Sequence, residues 1–156
     1  YGWLIGLGRA SRSIPSLRYY SMDYFGENRP CSEIINKPVI YPDGSFQACC
    51  SAGGRIEAFT VGKVHKASLA KLCEKMAQTP HLRAIGALGP KVLWGQVKQV
   101  RPDIPLADTF TSICELCVRT VENLSLPEVE EIANELLLIE TLKQLCEPAI
   151  KVGVYG

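Results

Sequence analysis

Lys37-Pro38-Val39-Ile40-Tyr41-Pro42-Asp43-Gly44-Ser45-Phe46-Gln47-Ala48-Cys49-Cys50 decides how the rest of the chain is read. Two short runs with β-branched and aromatic residues, Lys37 to Pro42 and Ser45 to Cys49, flank Asp43-Gly44, the strongest short-range signal for a two-residue type I′ hairpin turn. That register sets Tyr41 opposite Phe46 and Val39 opposite Ala48 on one apolar face, with Ile40 opposite Gln47 on the other. Cys49 then ends the second strand on the face opposite Phe46. Cys50, one residue on, points the other way, so only one of the pair serves a given site.

After the hairpin the apolar positions recur at helical spacing. Leu69, Leu72, Cys73 and Met76 form the buried stripe of an amphipathic helix, and Cys146 closes the longer pattern of Ile132, Leu136, Ile139, Leu142 and Leu145. Both cysteines read as small packed hydrophobes. Thr79-Pro80 opens another helix, Gly86, Gly89 and Pro90 interrupt or bend the chain beyond it, and Trp94 packs with Val92, Leu93 and Val97. Arg101 to Pro105 is a loop leading toward Cys114. Ser125-Leu126-Pro127-Glu128 fits a capping box that starts a helix running to about Cys146. Val129, Ile132, Leu136, Ile139 and Leu145 give that helix an apolar side for a core or a partner subunit, while Glu130, Glu131, Glu135 and Glu140 make its solvated face. The fold class expected is α+β, a cysteine-bearing β-hairpin followed by several helices.

Composition narrows the class. The 156 residues carry 17 Lys+Arg against 16 Asp+Glu, so there is neither a basic field for a nucleic-acid backbone or an anionic membrane surface nor an acidic tail. With 47% hydrophobic residues the chain is not disordered by composition. No run approaches a membrane span, since Ile132 to Leu142 is broken by Asn134, Glu135, Glu140 and Thr141. The expectation is a soluble, cytoplasmic chain. Tyr1 in place of Met, with a stretch to Gly8 too short for a secretory signal, reads as a fragment.

Cys31, Cys49, Cys50, Cys73, Cys114, Cys117 and Cys146 are odd in number and unevenly spaced, unlike a secreted disulfide framework. Cys114-Glu115-Leu116-Cys117 is a C-x-x-C between a turn-like run and a helical stretch, spaced to give two thiolates at neighbouring corners of one metal or cluster. Cys31 follows the loop Asn28-Arg29-Pro30, and the hairpin doubles the chain back between it and Cys49. Four soft ligands are thus available, Cys31, Cys49, Cys114 and Cys117. The set suits tetrahedral Zn²⁺ or a [4Fe-4S] cluster, and spacing does not choose between them.

Cys31, then Gly44 with four residues before Cys49, then the distant Cys114-x-x-Cys117, resembles the C-terminal auxiliary-cluster region of radical S-adenosylmethionine enzymes. It looks like the SPASM family, most of all its shortened twitch form with a single auxiliary [4Fe-4S] cluster. Phe59 to Val64, followed by the helix from Ser68, resembles a further segment of that family, with Lys63 where Asn is usual, and Gly8-Arg9-Ala10 looks like the tail of a preceding barrel. The resemblance implies residues 1–27 as a remnant of a barrel or linker, 28–124 as the cluster domain and 125–156 as a helical extension. It implies one cluster on Cys31, Cys49, Cys114 and Cys117, with Cys50 as an alternative to Cys49. The implied partners are an upstream radical S-adenosylmethionine barrel and a peptide or small-molecule substrate. No C-x3-C-x2-C occurs in the chain, so S-adenosylmethionine would bind only in that upstream domain and this chain is not catalytic alone.

Two other readings stay open: a structural zinc site on the same four thiolates, and a helical interaction module with incidental cysteines. Lys63, Arg55 and the amides near Gly53-Gly54 are candidates to offset cluster charge, or else ordinary surface groups. His65 and His81 lack a partner motif and read as non-ligands. No Ser-His-Asp set or phosphate-cradling loop occurs.

Overall fold

A computed structural model of the chain describes residues 20–21, 28–50 and 56–152. Its elements are β1 (Tyr20–Ser21), β2 (Val39–Ile40), β3 (Ser45–Gln47), a 3₁₀ turn at Glu57–Phe59, β4 (Thr60–Lys63), α1 (Leu69–Gln78), α2 (Pro80–Leu88), α3 (Pro90–Val100), β5 (Thr109–Phe110), α4 (Ile113–Glu122) and α5 (Leu126–Val152). Among the described residues the architecture is α+β: an antiparallel sheet in the order β2-β3-β4, a separate β1–β5 ladder and five α-helices.

The hairpin forms where its composition puts it, but its register differs from expectation. Val39 pairs with Gln47 and Ile40 with Phe46, and the Tyr41 N–H donates to Ser45 O at 2.9 Å. The loop is therefore Pro42-Asp43-Gly44, three residues instead of two. A two-residue turn would leave Pro42 paired with Ser45, and proline has no N–H to give. Instead Pro42 takes the first corner of the turn, Gly44 N donates back to Tyr41 O at 2.8 Å, and Gly44 absorbs the left-handed conformation at φ 78°. Asp43 locks the corner by accepting from Ser45 N at 3.1 Å and Ser45 Oγ at 2.8 Å. A one-residue shift exchanges cross-strand partners, so Ile40, not Tyr41, lies opposite Phe46. As the central strand, β3 is enclosed, and Ser45 through Cys49 are all buried.

Helix α1 lies on β4 through Leu72 and Met76. Gly62 permits the contact, because a Cβ there would meet Leu72 Cδ2 at 2.7 Å. Cys73, expected on the buried stripe, is exposed, and Leu69 is also exposed. A helix resting on a sheet through one i,i+4 row leaves the adjacent row facing water. The His81 ring is enclosed at the start of α2, with Nε2 2.6 Å from Ala58 O.

Helices α2, α3 and α5 pack together, and α3 packs on α4. Leu82, Ile85, Leu93, Val97 and Val121 fill the space between them. The segment read as a C-terminal extension joins this core through Val129, Ile132, Ala133 and Leu136. Its start carries the expected box: Glu128 Oε2 accepts from Ser125 N at 2.9 Å and Ser125 Oγ at 2.6 Å. The helix runs past Cys146 to Val152, and Leu138, Ile139, Leu142 and Leu145 are exposed. Its buried residues end at Leu136, so of the two roles expected for the apolar side, core or partner subunit, Ile139 and Leu145 do not serve the first. The side chain of Cys146 and residues 8–10 lie outside the described residues. Among the described residues, no helix is long and apolar enough to cross a membrane.

Candidate metal centre

Each cysteine of the candidate set is positioned by a local device. The loop carrying Cys31 crosses the junction of α2 and α3, where its N–H donates to Ile85 O at 3.1 Å. Gly89, at φ 94°, makes the crossing possible, since any Cβ there would collide with the backbone oxygen of Arg29. After Cys31 the chain turns through Ile35 at φ 66°, a left-handed conformation that costs a β-branched residue about 1–3 kcal/mol. That turn is held because Ile35 N donates to Ala48 O at 2.9 Å. The same bond ties the Cys31 loop to the residue before Cys49. Cys49 itself is 6% exposed and part of the core.

The C-x-x-C pair rides on α4. Ser112 caps that helix by accepting from Glu115 N at 3.1 Å. Cys114 lies in the first turn and Cys117 three residues on, the spacing that puts side chains on one helix face. Glu115, between them, is buried and accepts at Oε2 from Thr111 N at 2.8 Å and Thr111 Oγ1 at 2.7 Å. It fastens the head of α4 to β5, and β5 in turn pairs with Tyr20–Ser21. The sequence marks Gly89 only as an interruption of the chain and Glu115 only as a residue inside the C-x-x-C, although Ser112-x-x-Glu115 is a capping-box signal. The need for glycine at position 89 arises from Arg29 across the fold.

These devices set Cys31, Cys114 and Cys49 close enough to Cys117 to act on its thiol. The Cys117 thiol is pushed well above the ordinary thiol range, first by burial and then by the nearby thiols of Cys31, Cys114 and Cys49. Cys50 and Cys73 have no part in this. Cys50 is exposed, with its thiol 3.7 Å from Glu33 Oε2. Cys31, Cys50, Cys73 and Cys117 carry free thiols. Among the described residues, no three His, Cys, Asp or Glu side chains are posed as they stand to hold a metal ion. The thiols gather about Cys117 without closing into a ligand cage.

No family model, curated protein or solved structure matches this chain.

The donor chemistry fits a thiolate-bound centre, with four soft ligands from two separate parts of the chain and two of them in the first turn and a half of a helix. Lys63 does not contribute. It pairs with Asp43 at 3.9 Å at the turn end of the sheet and is registered with Ser45, away from Cys49. Arg55 and Gly53-Gly54 lie outside the described residues. His65 is exposed, and His81 is engaged with Ala58 O.

Proposed function

We propose that the chain is a cluster-holding module of the SPASM/twitch kind, with Cys31, Cys49, Cys114 and Cys117 as ligands to one [4Fe-4S] cluster that serves a radical S-adenosylmethionine barrel acting on a peptide or small molecule. What supports the reading is that Cys31 and Cys114 line one cavity, that the Ile35 N–H to Ala48 O bond ties the Cys31 loop to the strand end carrying Cys49, and that Cys31, Cys114 and Cys49 all act on the Cys117 thiol. Such a cluster supplies one-electron transfer, at a potential set by its surroundings. The protein's own part is positional. The Gly89 crossing and the Ile35 turn tie the Cys31 loop to the strand end that carries Cys49, and the Ser112 and Glu115 hydrogen bonds fix the head of α4 that carries the other pair. Four thiolates leave no vacant ligand position, so the module's direct work is to hold the centre and shape its surroundings.

Four thiolates also suit structural zinc, and one experiment separates the metals. Protein purified anaerobically is analysed for iron, sulfide and zinc with an ultraviolet-visible spectrum. The cluster reading expects brown protein with about four irons and four sulfides per chain. Colourless protein with one zinc gives the structural site instead. Folded protein that takes up neither metal sinks both and leaves a helical interaction module.

A further inference from the structure

His81 is 1% exposed, and the fold treats its two ring nitrogens differently. Nε2 lies 2.6 Å from Ala58 O. A carbonyl oxygen only accepts, so Nε2 carries the proton and Nδ1 the lone pair. Among the described residues Nδ1 is buried and meets no hydrogen-bond partner. An imidazolium in this seat would hold a positive charge and a second, unanswered N–H out of water. Lys71, Glu74, Lys75 and Glu130 surround the neighbouring Pro80, Glu57 and Glu122 lie on the Ala58 side, and α2 and α3 add Arg83 and Lys91. Of these Glu130 acts on the ring and favours its charged form, but less than burial opposes it.

The ring is joined to the thiol-bearing segments through the backbone. Ala58 is the middle residue of the 3₁₀ turn Glu57–Phe59. Phe59 O accepts from Ala48 N at 2.9 Å, and Ala48 O accepts from Ile35 N at 2.9 Å. Side chains bind the same parts into one unit: Gln47 Nε2 donates to Thr60 Oγ1 at 2.7 Å, and Thr60 Oγ1 donates to Ile56 O at 3.1 Å. His81 therefore stands at one end of a ladder whose other end is the Cys31 loop, and Cys49 follows directly on its middle rung, Ala48. Moving the ring so that water reaches Nδ1 takes the donor from Ala58 O and loosens the turn on which Ala48 hangs.

We propose that neutral His81 is a positioning residue for the Cys31 and Cys49 side of the candidate centre, and that its protonation releases that side. The coupling of the ring to these segments stands on the hydrogen bonds; that the segments hold a cluster rests on the function proposed above. The first measurement is amide hydrogen exchange of the untreated full chain by NMR between pH 7 and pH 5.5, corrected for the intrinsic pH dependence of exchange. Protection of the Ala48 and Ile35 amides should fall about tenfold, the factor for one pH unit below the ordinary imidazole value. The Arg101 and Leu116 amides, bonded to Val97 O and Ser112 O, should keep theirs. His81→Gln offers an amide donor to Ala58 O and has no charge to gain, so Ala48 and Ile35 should stay protected throughout. The second measurement is the lifetime of the visible absorbance of iron-and-sulfide-reconstituted chain over the same range, which acid should shorten several-fold more in the wild type than in His81→Gln. Ala48 and Ile35 protection that is unchanged, that falls equally in His81→Gln, or that falls together with Arg101 and Leu116 overturns the proposal. If His81→Gln fails to fold, the wild-type contrast between the two pairs of amides decides. The expected loss of protection in a chain that takes up no iron and sulfide keeps the coupling and removes the cluster. Equal acid lifetimes of the cluster in wild type and variant overturn the link to the centre.

Discussion

Cys117, partly buried, and His81, buried, are two titratable side chains with different consequences. If Cys117 is one of four ligands, Cys117→Ser should abolish metal uptake, as should serine at Cys31, Cys49 or Cys114. Cys50→Ser and Cys73→Ser should keep full stoichiometry, as elemental analysis of the six variants would reveal. His81 is governed by desolvation: burial holds its imidazole below the ordinary value of 6.5, against weaker opposing effects from Ala58 O and Glu130. Below about pH 6.5 the unfolded chain binds a proton that the folded chain resists. The stabilisation is therefore complete above that pH and is lost as pH falls through the folded-state value. Urea midpoints should drop between pH 7 and pH 5, and His81→Gln should flatten that drop. A midpoint with no pH dependence in this window would contradict the assignment. The sequence marks His81 as a non-ligand, but its burial against Ala58 O depends on a contact across 23 positions that periodicity does not encode.

At the scale of elements, the joints around the centre matter more than the elements themselves. Gly89→Ala forces a side chain onto the Arg29 oxygen at a backbone angle that L-residues avoid, and should cost about 2 kcal/mol or more. Metal affinity should fall with it, since the same crossing carries Cys31; denaturant unfolding and metal titration on one variant measure both. Ser112→Ala should cost about 1 kcal/mol as a lost cap. Glu115→Ala should cost more, because it removes two buried hydrogen bonds at Thr111. Much of this level is legible in the sequence: the hairpin, the helix starts at Pro80 and Leu126, and the C-x-x-C at the head of a helix. The turn length is not, because the Asp43-Gly44 signal outweighs Pro42 in the reading, although Pro42 forbids the two-residue form. Cys73 is misplaced by periodicity because helical spacing gives the width of an apolar stripe but not how much of it a neighbour covers.

Across the whole molecule, stability is concentrated where α5 crosses α2 and α3. Ile132→Ala should cost about 2–4 kcal/mol, since that side chain is 5% exposed in the shared core. Replacing Leu138, Leu142 and Leu145 together by Gln should change stability, read from the urea midpoint, by less than about 0.5 kcal/mol, because these positions are exposed. A large loss in the second variant would mean that the distal helix is covered. The full apolar run of α5 is visible in the sequence, but not the point where its support ends, which depends on the lengths of α2 and α3. The four thiols have a divided origin, two from the Cys31 loop and hairpin and two from α4. During synthesis at about 5–20 residues per second, Cys31 and Cys49 leave the ribosome several seconds before Cys114 and Cys117 exist. Through that interval Cys31 has Cys49 and Cys50 as almost equally distant neighbours along the chain, and an oxidant can join it to either as an adventitious disulfide. Yield of correctly assembled protein should therefore depend on the thiol-reducing capacity of the surroundings during translation.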